Sequence, residues 1–174
     1  MANMSQITVL DTIQGSSVLV IQATMEVLQR HNLDLTQYKI DVVREGDSVV
    51  VICTGKDGPA GTRESFAVRH GSEVAMNAHD LGLLTANMSQ LTVLDTIHGS
   101  SVLAVQAAME VFQRYNPDLA QYKIDVVREG NSVVVIFTDK DRQVGTRGNL
   151  SARPGFEVEL NAHDLHVLRS NFVR

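Results

Sequence analysis

Val18, Ile21, Met25 and Leu28 recur at spacings of three and four along GSSVLVIQATMEVLQRHN, one apolar stripe among polar positions. That period predicts an amphipathic helix, with Gly-Ser-Ser as its N-cap region and Asn32 at its end. The period then changes. YKIDVVREGDSVVVICTGKD predicts a β-hairpin about Gly46-Asp47, a two-residue loop with glycine first, suited to a type II′ turn. Such a turn pairs Arg44 with Val49, Val42 with Val51 and Ile40 with Cys53. Tyr38, Ile40, Val42, Val51 and Cys53 then share the face expected under the helix, while Val43, Val50 and Ile52 fall on the other. A strand with one wet side alternates, and SVVVI does not, so a cover is expected on that second face too.

Two further strands are expected from GTRESFAVRH and SEVAMN. SQITVLDTI, before the helix, reads equally as a strand or a short helix.

The whole pattern then runs again. Shifting the chain by 84 positions aligns Ala2–Thr85 with Ala86–Arg169, and 57 of the 84 positions are identical. Only two copies occur and each is domain-sized, which makes this a tandem duplication rather than a solenoid. The second stripe is Val102, Val105, Met109 and Phe112, and the second hairpin turns at Gly130-Asn131. GTRGNLSARPG and FEVELN are the counterparts of the last two strands. The closing HDLHVLRSNFVR is ambiguous. Differences crowd between Gly55/Asp139 and Met76/Leu160, where drift in loops and an edge strand is expected, or a surface that binds different things in the two copies.

The expected fold class is α+β, with a first repeat at 1–85 and a second at 86–174. Each repeat is one long helix on a curved antiparallel sheet, and the two form a pseudo-two-fold dimer. The join HDLGLLTANMSQ offers no flexible tether, so the other copy is the expected cover for the second sheet face, with edge pairing between sheets as the alternative. The order of elements resembles the cystatin-like arrangement. The resemblance implies the arrangement alone, because the first hairpin is the tight REGDS or REGNS rather than a Gln-x-Val-x-Gly loop, and QVGTR at Gln143 lies in another connection.

Composition narrows the partners. With 174 residues, 44% of them hydrophobic, and a net charge of −5, the chain can bury a core. It has no basic footprint for nucleic acid and no Lys/Arg run for an anionic membrane surface. No apolar run approaches the roughly 20 residues of a spanning helix. One cysteine, Cys53, rules out an internal disulfide or a cysteine zinc site, and with no signal-like start the cytoplasm is expected.

The chemistry is sparse. His79 and His163 recur in NAHDL, where a His beside an Asp could act as an oriented base, but a turn or helix start capped by Asp80 and Asp164 is the simpler reading. His163 and His166 have metal spacing on a helix without a third ligand. Cys53, opposite Phe137 in the second copy, reads as core. GKDGPAG lacks the spacing of a phosphate-binding loop. No catalytic residue, metal or cofactor is therefore assigned.

The expected function is non-enzymatic protein binding, inhibitor- or immunity-like, in a fused pseudo-dimer. The candidate binding residues are Arg63, Phe66, His70, Arg147, Arg153 and Phe156 in the variable segments. Another protein is the expected partner, with further copies of the chain as a second option. Two rivals stand beside this: a ligand-binding protein or enzyme using Tyr38/Tyr122, Asp41/Asp125 and His79/His163, and a self-assembling structural protein joined through sheet edges.

Overall fold

A computed structural model describes residues 7–32, 34–55, 65–86, 91–140 and 154–173. The fold is mixed α+β, with two antiparallel sheets. It divides into two compact units, Met1–Gly15 with Ser101–Arg174, and Ser16–Ser100. The division falls at 15/16 and 100/101, whereas the sequence repeat turns over at 85/86. Each unit thus takes its first strand from the other repeat.

In the Ser16–Ser100 unit, α1 (Gly15–Arg30) leads to the hairpin β2 (Tyr38–Glu45) and β3 (Ser48–Gly55), then β4 (Ser65–Arg69), α2 (Ala78–Ala86) and β5 (Thr92–His98). The sheet order is β4-β3-β2-β5. The helix stripe is buried as its spacing dictates, and Asn32 ends α1 in the left-handed region, φ 53°. The hairpin has the expected register, with Arg44 opposite Val49 and Ile40 opposite Cys53. Gly46 supplies the positive φ, 58°, that the turn requires.

The second face of this sheet is covered from within the unit. Val43, Val50, Ile52 and Ala67 form a cluster with Leu84 of α2, and Met76, Leu81 and Leu91 pack around it. Four consecutive β3 residues, Val50–Cys53, are consequently buried. Here the expected cover, the other copy, is replaced by a helix that the weak periodicity of AHDLGLLTA did not announce.

The other unit is built from β1 (Ile7–Gln14), α3 (Gly99–Phe112), β6 (Tyr122–Glu129), β7 (Ser132–Asp139), β8 (Gly155–Asn161) and β9 (Val167–Val173), with sheet order β1-β6-β7-β8-β9. Within SQITVLDTI and its repeat, the described residues from Ile7 and from Thr92 onward are strands. Although Ser132–Ile136 repeats the sequence of Ser48–Ile52, β7 alternates buried and half-buried residues along its length. Val134 and Ile136 stay half-exposed because the segment equivalent to α2 has gone to the sheet edge as β9.

Two local differences produce this asymmetry. Beside β7, Phe156 pairs with Phe137 and Val158 with Val135; beside β3, Phe66 pairs with Cys53 and Val68 with Val51. The counterpart of Phe156 is Ser72, so the first copy finds its apolar alternation six residues earlier, and the expected strand SEVAMN is irregular, with Val74 exposed. The expected strand in GTRGNLSARPG falls mostly outside the described residues.

The second difference lies in NAHDL. Leu81 N–H donates to Asn77 O at 3.0 Å, and Leu165 N–H to Asn161 O at 2.8 Å, so one turn is common to both. Leu81 continues into α2, whereas Leu165 adopts φ 61° and the chain leaves for β9. The helix cap is Asn77, whose Oδ1 accepts from Asp80 N–H at 2.8 Å, in place of the expected Asp80. Asp164 does serve its turn, accepting from His166 N–H at 3.1 Å.

The junctions between strand and helix are tight. Gln14 ends β1 and Gly15 begins α1; His98 ends β5 and Gly99 begins α3. The serines expected as N-caps are the second and third residues of each helix, and the third acts as a donor: Ser17 Oγ to Asp95, Ser101 Oγ to Asp11. A carboxylate from the first strand of each unit is thereby fixed at a helix N-terminus, where the backbone dipole favours it.

Candidate functional site

Phe112 on α3 sits against Phe137, Phe156 and Tyr122, with ring centroids at 4.4, 4.8 and 5.3 Å. Phe156 continues the row to Phe172 on β9 at 5.0 Å, and Phe172 meets Tyr115 at 4.8 Å. An aromatic row therefore starts in the core and emerges at the sheet edge, where Phe172 is 44% and Tyr115 55% exposed. Val167 and Leu168 are exposed on the same strand.

Polar contacts hold β9 to β8 from the opposite face. Arg169 Nε donates to Glu159 and Asn171 Nδ2 to Glu157, while Ser132 Oγ donates to Glu159 at 2.8 Å. The Ser132 hydrogen bond first, then Arg169, holds the Glu159 carboxyl below its ordinary range. Beyond β9 the sheet has no further strand among the described residues.

A second concavity lies in the Ser16–Ser100 unit, a groove of about 430 Å³ between the β2–β3 turn, the end of β4 and α2. Glu45, Arg69 and Asp80 give it polar walls, and Leu83, Leu84 and Leu91 an apolar one. Arg69 Nη2 lies 3.3 Å from Glu45 Oε2, an ion pair without hydrogen-bond geometry, although Oε2 is shut off from solvent.

The residues singled out from the sequence do not converge. Phe66 is half-buried on β4, its ring 5.1 Å from that of His31. His70 is exposed just after β4, its N–H donating to Val49 O at 2.8 Å. Phe156 lies in the other unit and is 1% exposed. Arg63, Arg147 and Arg153 fall outside the described residues.

The alternative set is also dispersed. Tyr38 and Tyr122 are buried on the helix side of their sheets. Asp41 and Asp125 each accept from a threonine, Thr96 and Thr12, at 2.6 Å. His79 and His163 are exposed, and His166 pairs its ring with Asp164 rather than with His163. Among the described residues no group of three or more His, Cys, Asp or Glu could hold a metal ion. Sequence reasoning overlooked Glu45 and Arg69, considered Asp80 only within NAHDL, and overlooked Tyr115 and Phe172. Their one advance signal is the aromatic Phe172 in the closing SNFV, in a segment whose periodicity is ambiguous.

Cys53 is fully buried, and burial, assisted by the charge of Asp41, pushes its thiol up to about 12. The native protein is expected to resist iodoacetamide at pH 8, while the denaturant-unfolded chain is alkylated, as mass spectrometry would show. The unfolded thiol ionises near its ordinary 9.0. The thiol's contribution to stability is therefore complete below that pH and is lost as pH rises from 9.0 towards about 12. Denaturant titrations of Cys53→Ala should lack that alkaline component.

No helix among the described residues is long and apolar enough to cross a membrane. No protein-family model, curated protein or solved structure matches the chain.

Proposed function

We propose that the chain is a non-enzymatic protein-binding module that takes up an extended segment of another protein along β9. One observation carries this reading: the edge strand Val167–Val173 is open among the described residues and is joined at its side by the emerging aromatic row. Natural edges are usually blunted by lysine, proline or an inward charge. VLRSNFV has neither lysine nor proline, and its one cation, Arg169, is already held by Glu159. Strand addition draws affinity from backbone hydrogen bonds and specificity from alternate side chains, here on Tyr115 and Phe172. An inhibitor- or immunity-like role is the form of binding that suits a small acidic chain. The finer architecture belongs to the same proposal: a duplicated unit with a cystatin-like arrangement of one helix on an antiparallel sheet, joined as a fused pseudo-dimer. The 84-residue repeat and the traded first strands support it.

The test uses extended peptides selected from a random library on the intact protein. Binders should slow amide exchange in Val167–Val173, and Phe172→Ala or Tyr115→Ala should weaken them about tenfold or more. Binders that protect other segments and ignore both substitutions would remove the proposal.

The groove supports a second reading, small-ligand binding. Two carboxylates, one of them paired with the single guanidinium, line it beside three leucines, which suits an organic cation with an apolar body.

A further inference from the structure

We infer that the strand trade made within one chain also operates between chains, so that a second copy of this protein is a partner, with β1 and β5 as the exchanged pieces. The argument starts from the two receiving strands. β2 and β6 have the same sequence, YKIDVVRE, residue for residue. The donor segments Ile7–Gln14 and Leu91–His98 differ only at Ile7/Leu91 and Gln14/His98, at the ends of the stretch.

The docked geometry is equally matched. Ile13 lies opposite Ile124 as Ile97 lies opposite Ile40, and each donor carries a bulge at the same place, between Val9 and Asp11 or between Val93 and Asp95. Each is locked by the same side chains: threonine to the aspartate of the receiving strand, and its own aspartate to a helix serine. A receiving sheet therefore meets the same strand in β1 and β5 except at the two ends, and it does not distinguish its own chain's donor from another's.

Connectivity and concentration then decide which donor docks. Attachment to the same chain holds β1 near β6 at an effective concentration of about millimolar, so dilute protein closes on itself. The hinge has no slack, since no residue separates β1 from α1 or β5 from α3, and short hinges favour exchange between molecules. Refolding near the millimolar range puts donors of other chains in equal competition.

The experiment uses the full chain. Thr8 and Arg128 are exposed partners across β1 and β6, so Thr8→Cys/Arg128→Cys in a Cys53→Ala background reports whose β1 occupies each sheet. After refolding from denaturant at about 10 µM and at about 1 mM, concentrations chosen to bracket the tether's effective value, the protein is oxidised and run on a non-reducing denaturing gel. Dilute refolding should give an internal disulfide, and concentrated refolding disulfide-linked dimers and longer ladders. Ser132→Cys/Asn161→Cys, partners within one repeat, should stay internal in both cases.

Light scattering on the wild-type chain gives a measurement that needs no substitution. Dimers formed at high concentration should survive native dilution and disappear after dilute unfolding and refolding. Internal disulfides at every concentration, dimers that fall apart on dilution, or equal cross-linking of the control pair would each overturn the inference. None of these positions lies in β9, so the outcome is independent of peptide addition there.

Discussion

Gly99→Ala is expected to cost on the order of 4 kcal/mol or more, a large fraction of a domain's total stability. A Cβ at this position would stand 1.6 Å from the carbonyl oxygen of Leu35, 2.5 Å from its carbon and 3.1 Å from the Tyr38 oxygen. All three are backbone atoms. The two Leu35 atoms belong to a short 3₁₀ turn at Leu35–Gln37, which Asp34 fixes by accepting from Thr36 N–H at 3.1 Å, and which runs straight into β2, where Tyr38 is the first residue. Relief therefore means moving a strand. Gly15 meets the same obstacle at Leu119, 1.7 Å from its oxygen, and Gly15→Ala should behave alike. Gly82 in α2 is the contrasting case, with nothing within 4 Å of an added Cβ. Gly82→Ala should gain about 0.5–1 kcal/mol through helix propensity. Denaturant titration of the three variants checks the set, and a mild effect at both Gly15 and Gly99 would contradict the tight strand-to-helix junctions.

Phe112→Ala should cost about 3–5 kcal/mol, the usual range for deleting a buried ring. The side chain is 1% exposed and touches Tyr122, Phe137 and Phe156, so its loss leaves a void at the centre of one unit. Phe112→Leu installs the residue found at the equivalent position 28 and should cost less, since part of the volume remains. The damage should also reach the surface. Phe156 holds Phe172, so an emptied centre loosens the aromatic row at β9 and weakens peptide addition there. Thermal unfolding measures the first effect and peptide affinity the second. A Phe112→Ala protein as stable as wild type would show that the rings are not packed as described.

α1, α3 and the first hairpins were readable in advance because their signals are local. A 3.6-residue stripe needs only its own burial, and Gly46 with Asp47 sets a register that Arg44 and Val49 then obey. Apolar positions on both sheet faces also signalled correctly that β3 would be covered twice. What covers it was not readable. Leu81 and Leu84 became a helix face only because Phe66 and Val68, rather than Ser72 and Val74, had taken the place beside β3. The traded strands were equally hidden, since ITVLDTI carries no label for the sheet it joins. The candidate binding residues suffered most. Phe156 sits in a variable segment, yet it varies because the second core is built from rings, and variation of that kind looks the same as variation of a contact surface.

NAHDL stands twice in this chain, once as the opening of a helix and once as a turn before an edge strand. From Ala78 to Ala86 and from Ala162 to Ser170 only four of nine residues differ. Nearly the same nine residues therefore adopt two secondary structures, and what decides between them lies upstream, in which residues pair with the central strand. The second face of one sheet is consequently apolar and covered, while that of the other is left half-exposed.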